Sequence, residues 1–173
     1  MLLLGAPAVG KTSILYRFVK NQFSHDYITT IGINYLTKDI SIGKKDSAKI
    51  IIWDIAGQKK FKFLHKQYYE GTHGALVIFD LTQFKTYEAV DTWLSEMFNI
   101  LKKDIPFIII GNKVDLIKDV GRSIDYSVVM QYAKNKDSIY IETSAKTGEN
   151  VEEAFKELTA RMIDCALERM KNM

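Results

Sequence analysis

The sequence predicts an α/β fold in which a six-stranded, mostly parallel sheet lies between helices on both faces. Apolar runs rich in β-forming residues alternate with amphipathic helical segments along the chain, and this alternation is typical of parallel sheets covered by helices. A turn-like segment between two strand patterns predicts one hairpin, which adds a single antiparallel strand. A glycine-rich segment directly follows the first apolar run, at the edge where such sheets bind ligands.

The first third of the chain contains three predicted strands and one predicted helix. Residues 1–4 form an apolar strand, and residues 35–42 and 48–55 flank the turn of the hairpin. Residues 11–20 have the spacing of an amphipathic helix, whose apolar face comprises Ile14, Leu15, Phe18 and Val19.

The rest of the chain alternates strands with helices. Strands are predicted over residues 74–81, 106–110 and 138–142, and the first two are apolar enough to be buried on both faces. Helical spacing predicts helices over residues 86–101, 125–134 and 151–170. The last helix is expected to direct these side chains inward: Ala154, Phe155, Leu158, Met162, Ile163, Ala166 and Met170.

A chain of 173 residues with 47% hydrophobic residues suits a single domain over residues 1–173. Its net charge of +3 is spread along the chain, so the sequence does not indicate a nucleic-acid partner. No apolar run approaches the roughly 20 residues that cross a bilayer, and the single cysteine, Cys165, fits a reducing compartment. We therefore expect a cytoplasmic protein and a monomer.

Residues 5–12 read Gly-Ala-Pro-Ala-Val-Gly-Lys-Thr, which is the G-x-x-x-x-G-K-T pattern of a phosphate-binding loop. Glycines let the backbone curl so that successive N–H groups point at phosphate oxygens. The positive end of the following helix adds its field. Lys11 can then reach the β- and γ-phosphates, and the hydroxyl of Thr12 can ligate Mg²⁺. The predicted phosphate-binding residues are Gly5, Ala8, Val9, Gly10, Lys11, Thr12 and Ser13.

The third predicted strand ends in Asp-Ile-Ala-Gly-Gln at residues 54–58. An aspartate such as Asp54, at a strand tip opposite a phosphate loop, typically holds Mg²⁺ through water. Gly57 leaves space for a backbone N–H to meet a γ-phosphate, and Gln58 can orient water. A D-x-x-G pattern by itself also fits a plain turn at a strand end, so its meaning depends on the other motifs.

Two motifs behind the fifth and sixth strands indicate guanine recognition. The first reads Asn-Lys-x-Asp, and the carboxylate of Asp115 only accepts hydrogen bonds, so it matches the paired N1–H and N2–H₂ donors of guanine. Adenine presents an acceptor at N1 and would be rejected. The second motif reads Ser-Ala-Lys, where a backbone N–H can bond guanine O6. The predicted guanine-binding residues are Asn112, Lys113, Asp115, Ser144, Ala145 and Lys146.

With these motifs in this order, the chain resembles the small GTPases of the Ras superfamily over essentially its full length. It is most similar to the Rab branch, on segments 30–35, 52–58 and 68–74. The resemblance implies a P-loop NTPase three-layer fold that binds GTP or GDP with Mg²⁺. It also implies GTP hydrolysis, for which the catalytic residues would be Lys11, Thr30, Gly57 and Gln58.

The resemblance implies roles for further residues. Thr30 is similar to the threonine whose hydroxyl joins Mg²⁺ and whose amide binds the γ-phosphate, so it would complete a metal site with Thr12 and Asp54. Phe23 matches the aromatic residue that packs against guanine, and Tyr27 matches the tyrosine that closes over the phosphates. The aromatic triad that shapes the effector face of Rab-like proteins is matched by Tyr35, Trp53 and Tyr68.

The function that the resemblance implies is a GTP-hydrolysing switch in membrane trafficking. Effectors, an exchange factor and a GTPase-activating protein would bind through residues 23–35 and 56–68. The alternative is a scaffold that nucleotide stabilises and that hydrolyses GTP negligibly; Gln58 argues against it and Pro7, within the phosphate loop, mildly for it. No arginine lies in either segment, so slow intrinsic hydrolysis is predicted. Arg17, on the first helix, is predicted to point away from the phosphate loop.

Two departures from the Rab pattern concern membranes and partners. The sequence has no terminal cysteine, so the prenylation cysteine expected of a Rab is absent from this chain. A lipidated or basic tail in the full-length protein would make it peripheral at membranes. Lys59 stands where relatives commonly have an acid after the catalytic glutamine. It belongs to a basic cluster that fits a solvated face, an acidic protein partner or a membrane contact, and that comprises Lys59, Lys60, Lys62, His65 and Lys66.

Overall fold

The computed structural model describes residues 1–24, 30, 32–42, 46–56 and 67–171. Its six strands form one sheet in the order β2-β3-β1-β4-β5-β6, in which only the pair β2 and β3 is antiparallel. The predicted mixed α/β sheet is therefore confirmed. The strands are β1 (Leu2–Leu4), β2 (Ile33–Ile42), β3 (Asp46–Ile55), β4 (Ala75–Asp80), β5 (Phe107–Asn112) and β6 (Ile139–Thr143).

Helices cover both faces of the sheet. The described helices are α1 (Lys11–Lys20), α2 (Phe84–Glu88), α3 (Val90–Leu101), α4 (Ile117–Val120), α5 (Tyr126–Asn135) and α6 (Val151–Lys171), with a 3₁₀ turn at Val114–Leu116. Helices α1 and α6 contribute to one hydrophobic cluster, where the rings of Phe18 and Phe155 stack with centroids 3.9 Å apart. Helices α3 and α5 contribute to a second cluster on the opposite face. None of the described helices is long and apolar enough to cross a membrane.

Strands β4 and β5 are interior strands of the sheet and are buried at every position. Because side chains alternate along a strand, Leu76 and Ile78 enter the cluster of α1 and α6, whereas Val77 and Phe79 enter the cluster of α3 and α5. A strand whose two faces both pack in hydrophobic clusters needs apolar residues at consecutive positions, and β4 and β5 have mostly such residues.

Most element boundaries lie within one residue of the predicted ones, and larger differences occur in three places. The hairpin ladder runs from Ile33 opposite Ile55 to Ile42 opposite Asp46, so each strand begins two residues earlier than predicted; its turn, residues 43–45, lies outside the described residues. Strand β5 extends to Asn112. The predicted helix over residues 86–101 is two helices. They are separated at Ala89, whose ψ of −13° departs from the roughly −42° of an α-helix.

The end of α6 does not pack as predicted. Met170 is 74% exposed and Ala166 is also exposed, and the last fully buried residue of the helix is Thr159. A helix of 21 residues is about 31 Å long, whereas a six-residue strand spans only about 20 Å. The final turns therefore extend past the sheet that the first turns cover.

Candidate functional site

Most of the predicted site residues lie at one edge of the sheet, where its parallel strands end. The phosphate-binding loop follows β1, Asp54 lies next to the last residue of β3, and Asn112 is the last residue of β5. Ser144 follows β6 directly. In open α/β sheets this carboxyl edge is the ligand-binding edge, so the topology brings together motifs that are far apart in the chain.

The loop between β1 and α1 has three residues with positive φ. Gly5 has φ 141°, Ala8 has φ 64° and Gly10 has φ 97°. A Cβ at Gly5 would lie 2.1 Å from the carbonyl oxygen of Ile78, so glycine is needed there for close packing as well as for conformation. The loop leads into α1, whose first intrahelical bond runs from Ile14 N to Gly10 O. The N–H groups of the first turn therefore have no intrahelical partner and are available to an anion.

Lys11 lies buried beneath this loop. Its Nζ donates hydrogen bonds to Gly5 O at 2.8 Å and to Ala6 O at 2.9 Å, and the residue is only 6% exposed. Burial lowers the pKa of Lys11 from 10.5 to about 8, while the charge of Asp54 opposes the shift. An ammonium group desolvated in this way gains from an anionic ligand such as phosphate.

Three oxygen-bearing side chains converge beside Lys11. The Oγ1 atoms of Thr12 and Thr30 are 2.6 Å apart, and they lie 2.5 Å and 3.3 Å from Asp54 Oδ2. Asp54 is fully buried, and its Oδ1 is the only buried side-chain polar atom of the described residues without a hydrogen-bond partner. Burial raises the pKa of Asp54, and the hydrogen bond from Thr12 and the charge of Lys11 oppose this. Hard oxygen ligands with one unsatisfied carboxylate atom fit Mg²⁺, either directly or through water.

Asn112 joins the phosphate loop to the loop behind β6. It is 1% exposed, and its Nδ2 donates to Val9 O at 2.8 Å. Its Oδ1 accepts hydrogen bonds from Thr143 Oγ1 at 3.1 Å and from Ala145 N at 3.2 Å. Gly10 makes room for this side chain, because a Cβ there would lie 2.3 Å from Asn112 Nδ2. The predicted base-binding and phosphate-binding segments are therefore held together by one buried amide.

The carboxylate of Asp115 is fixed from the neighbouring loop. Ser144 Oγ donates to Asp115 Oδ1 at 2.6 Å and accepts a hydrogen bond from Thr147 N at 3.1 Å. Lys113 has a left-handed backbone with φ 71°, and its Nζ lies 2.7 Å from Oδ2 of the buried Asp80. The segments over residues 112–115 and 144–146 are thus adjacent, as guanine recognition by both would require.

The sequence did not predict that three further charged residues contact the motif segments or the strand before them. These residues are Asp80, Arg122 and Arg17. Asp80 ends a buried strand, as Asp54 nearly does, and that placement was an available signal. Arg122 pairs with Glu142 of β6 through two hydrogen bonds of 2.5 Å and 2.9 Å. The guanidinium of Arg17 contacts the loop at residues 144–147, and no local pattern could reveal a partner 128 positions away.

The remaining predicted residues lie around the edge of the site or outside the described part of the chain. Phe23 is partly buried against the cluster of α1 and α6, and Lys146 is exposed. The predicted aromatic triad is contiguous, since ring centroids of Tyr35 and Trp53 are 5.0 Å apart and those of Trp53 and Tyr68 are 5.2 Å apart. Outside the described residues lie Tyr27, Gly57, Gln58 and the basic cluster at residues 59–66.

Comparisons with known proteins agree with the motifs. The model of the Ras family matches residues 1–164. The Ras-related protein Rab-4A of Rattus norvegicus is 36% identical over 163 residues, which cover 94% of this chain and 73% of that protein. The Ras-related protein Rab-25 of Homo sapiens is 38% identical over 156 residues, which cover 90% of this chain and 72% of that protein.

Proposed function

Because the chain belongs to the Ras family, we propose that it is a Rab-like switch that binds GTP and GDP with Mg²⁺ and hydrolyses GTP slowly. Its guanine nucleotide would lie along the carboxyl edge of the sheet, with the base between Asp115 and Ala145 and the phosphates over the loop that ends at Lys11. The relatives named Rab-4A and Rab-25 support this assignment through their similarity over most of the chain.

One observation carries the proposal: a buried lysine and a buried carboxylate lie near each other, and each has hydrogen-bonding capacity that the described residues do not fill. Among the described residues, the ammonium group of Lys11 donates to two loop carbonyls, which leaves one of its three N–H donors unused, and burial lowers its pKa to about 8. Asp54 has an oxygen atom with no described partner. A polyphosphate with a divalent cation would satisfy both groups at once, because it brings an anion to the lysine and a cation to the aspartate.

The reaction is attack of water on the γ-phosphorus with cleavage of its bond to the β–γ bridging oxygen, which yields GDP and phosphate. Lys11 would offset the charge on the β- and γ-phosphate oxygens, and Thr12, Thr30 and Asp54 would hold Mg²⁺. When bound, the cation neutralises developing charge on the same oxygens. Gln58 would orient the water and the amide of Gly57 would meet the γ-phosphate.

The switch itself would involve residues 23–35 and 56–68, which would be ordered by the γ-phosphate and released after hydrolysis. Effectors, an exchange factor and a GTPase-activating protein would bind there. Tyr35 supports this proposal, because it is 56% exposed and packs against Trp53, and exposed aromatic residues are favourable contacts in protein interfaces. A role in membrane trafficking, as a monomer in the cytoplasm or at membrane surfaces, is part of the same proposal.

A single-turnover assay tests the function. Protein loaded with GTP is given Mg²⁺, and we expect release of phosphate on the order of 10⁻⁴ to 10⁻³ s⁻¹. Gln58→Leu should be slower because it removes the water-orienting amide, whereas Gln131→Leu, at an exposed glutamine of α5, should match the wild type. If the wild type retains GTP without hydrolysing it, the protein is instead a nucleotide-stabilised scaffold.

A further inference from the structure

We propose that Arg17 is a positioning residue for guanine recognition: it holds the loop of residues 144–147 in place, so that the N–H of Ala145 lies within reach of the base. This inference rests on the proposed function and adds to it a residue outside the nucleotide-binding motifs. The role of the residue would be to slow nucleotide release. It would act through the loop, because its own hydrogen bonds go to backbone and side-chain atoms of the protein.

The guanidinium of Arg17 bonds two consecutive carbonyl groups of this loop. Its Nε donates to Ala145 O at 2.9 Å, and its Nη2 donates to Lys146 O at 2.6 Å. The third nitrogen, Nη1, donates to the side chain of Asn21 at 3.0 Å and to its carbonyl at 3.3 Å. A planar guanidinium that makes bonds in three directions fixes its partners in both distance and angle.

Ala145 is therefore held from two sides. Its N–H donates to Asn112 Oδ1 at 3.2 Å, and its carbonyl accepts from Arg17. That N–H is the donor proposed for guanine O6. Guanine would share its single hydrogen with Asn112 Oδ1 or take it over, so the position of Ala145 decides how well the base is bound. The Asn112 contact is at the long end of the hydrogen-bond range, and it is the one that guanine would weaken. The bond from Arg17 to the carbonyl of Ala145 is therefore the contact that would keep this residue in place.

The loop has enough internal bonds to stay folded without Arg17. Gly148 N donates to Ser144 O at 2.8 Å, Thr147 N donates to Ser144 Oγ at 3.1 Å, and Ser144 N donates to Glu149 O at 3.1 Å. Removing the guanidinium would leave this turn intact and release its attachment to α1. The expected consequence is a displaced donor rather than an unfolded loop.

The same helix also begins at the phosphate end of the site. Lys11 and Thr12 occupy the first turn of α1, and Arg17 lies six and five residues further along. A helix is stiff over this distance, so α1 joins the groups proposed for phosphate and metal to the loop proposed for the base. The aliphatic part of Arg17 passes close to Gly148, because a Cβ added there would lie 3.5 Å from its Cδ.

Release of GDP from loaded protein tests the inference, with displacement of a fluorescent GDP by excess unlabelled nucleotide as the readout. Arg17→Met keeps the length of the side chain and removes its donors. We expect release at least about tenfold faster, because both charge-assisted hydrogen bonds to the loop are lost. Arg17→Lys keeps the charge but cannot make both hydrogen bonds to the loop in the same geometry, so its GDP release rate should lie between those of Arg17→Met and the wild type. Arg161→Met, which removes an exposed pair with Glu157 on α6, should release GDP at the wild-type rate.

A change of nucleotide separates positioning from general loosening. The analogue 6-thio-GDP has a weaker hydrogen-bond acceptor in place of O6, so Arg17→Met should accelerate its release less than it accelerates that of GDP. IDP keeps O6 and lacks the 2-amino group, so Arg17→Met should accelerate release of IDP as much as it accelerates release of GDP. Equal acceleration for GDP and 6-thio-GDP, or an Arg17→Met that releases GDP at the wild-type rate, overturns the inference. A wild-type protein that retains no guanine nucleotide would instead overturn the proposed function on which it rests.

Discussion

Nucleotide affinity is expected to fall as the pH rises from 7 to 8.5, because Lys11 must carry a proton to bind phosphate. In the nucleotide-free protein, burial lowers the pKa of this lysine from 10.5 to about 8, and the charge of Asp54 opposes the shift only in part. Phosphate oxygens would give the ammonium group an anionic partner and raise its pKa again. Binding above pH 7 therefore requires uptake of a proton from solution.

The magnitude follows from the two protonation states. With a pKa of about 8 in the free protein, Lys11 is roughly 90% protonated at pH 7 and about 25% protonated at pH 8.5. If it stays charged in the complex, the affinity falls about fourfold between these pH values, or about 0.8 kcal/mol. Proton uptake on binding should rise from about 0.1 to about 0.75 per nucleotide over the same interval.

Titration calorimetry with GDP, repeated in buffers of different ionisation enthalpy, measures both the affinity and the proton uptake. Lys11→Arg provides the control, because a guanidinium does not lose its proton in this range, so its remaining pH dependence belongs to the nucleotide or to other groups. Lys156→Met, at an exposed pair with Glu152, should behave as the wild type. No proton uptake by the wild type at pH 8.5 would refute the reasoning.

Asp115→Asn should weaken GTP binding by about 1–3 kcal/mol or more and improve binding of xanthosine nucleotides, whose base edge exchanges a donor for an acceptor; an unchanged GTP titration contradicts the assignment. Residues 23–35 and 56–68 should be more protected in hydrogen exchange with a non-hydrolysable GTP analogue than with GDP, and equal protection counts against a switch. Gly10→Ala should lower nucleotide affinity about tenfold or more, whereas Gly121→Ala, also at positive φ but with nothing within 4 Å of its Cβ, should not.

The fold was predictable because burial on two faces leaves a direct trace in the sequence. At β4 and β5 every position is buried, and a consecutive run of apolar residues is compatible with few other structures. The ends of the elements were harder to predict. Residues 33–34 combine an isoleucine, which favours strands, with an asparagine, which does not, and both pair with β3 in the structure. Met170 has the right helical spacing for burial and is exposed, since spacing does not tell how far the sheet beneath a helix extends.

The separate parts of the site were predictable for a related reason. A phosphate loop, an aspartate at a strand tip and an Asn-Lys-x-Asp segment each carry a local pattern, and the parallel topology places strand ends at one edge. The patterns do not specify how these parts are joined. Asn112 was predicted to belong to the base site, whereas the structure shows that its side chain also bonds the phosphate loop at Val9.

Arg17 illustrates where local reasoning ends. Helical geometry predicts that a residue at this position of α1 faces away from the phosphate loop, and the hydrogen bonds of its guanidinium do go elsewhere, to Ala145, Lys146 and Asn21. Helical geometry does not tell which other loop such a residue contacts, because that depends on the tertiary structure. The loop that follows the edge strand β6 accepts two hydrogen bonds from α1, the helix whose first turn carries Lys11 and Thr12. The residues that unite the two halves of the site are therefore those whose partners are most distant in sequence, and a nucleotide-release experiment on Arg17 addresses them directly.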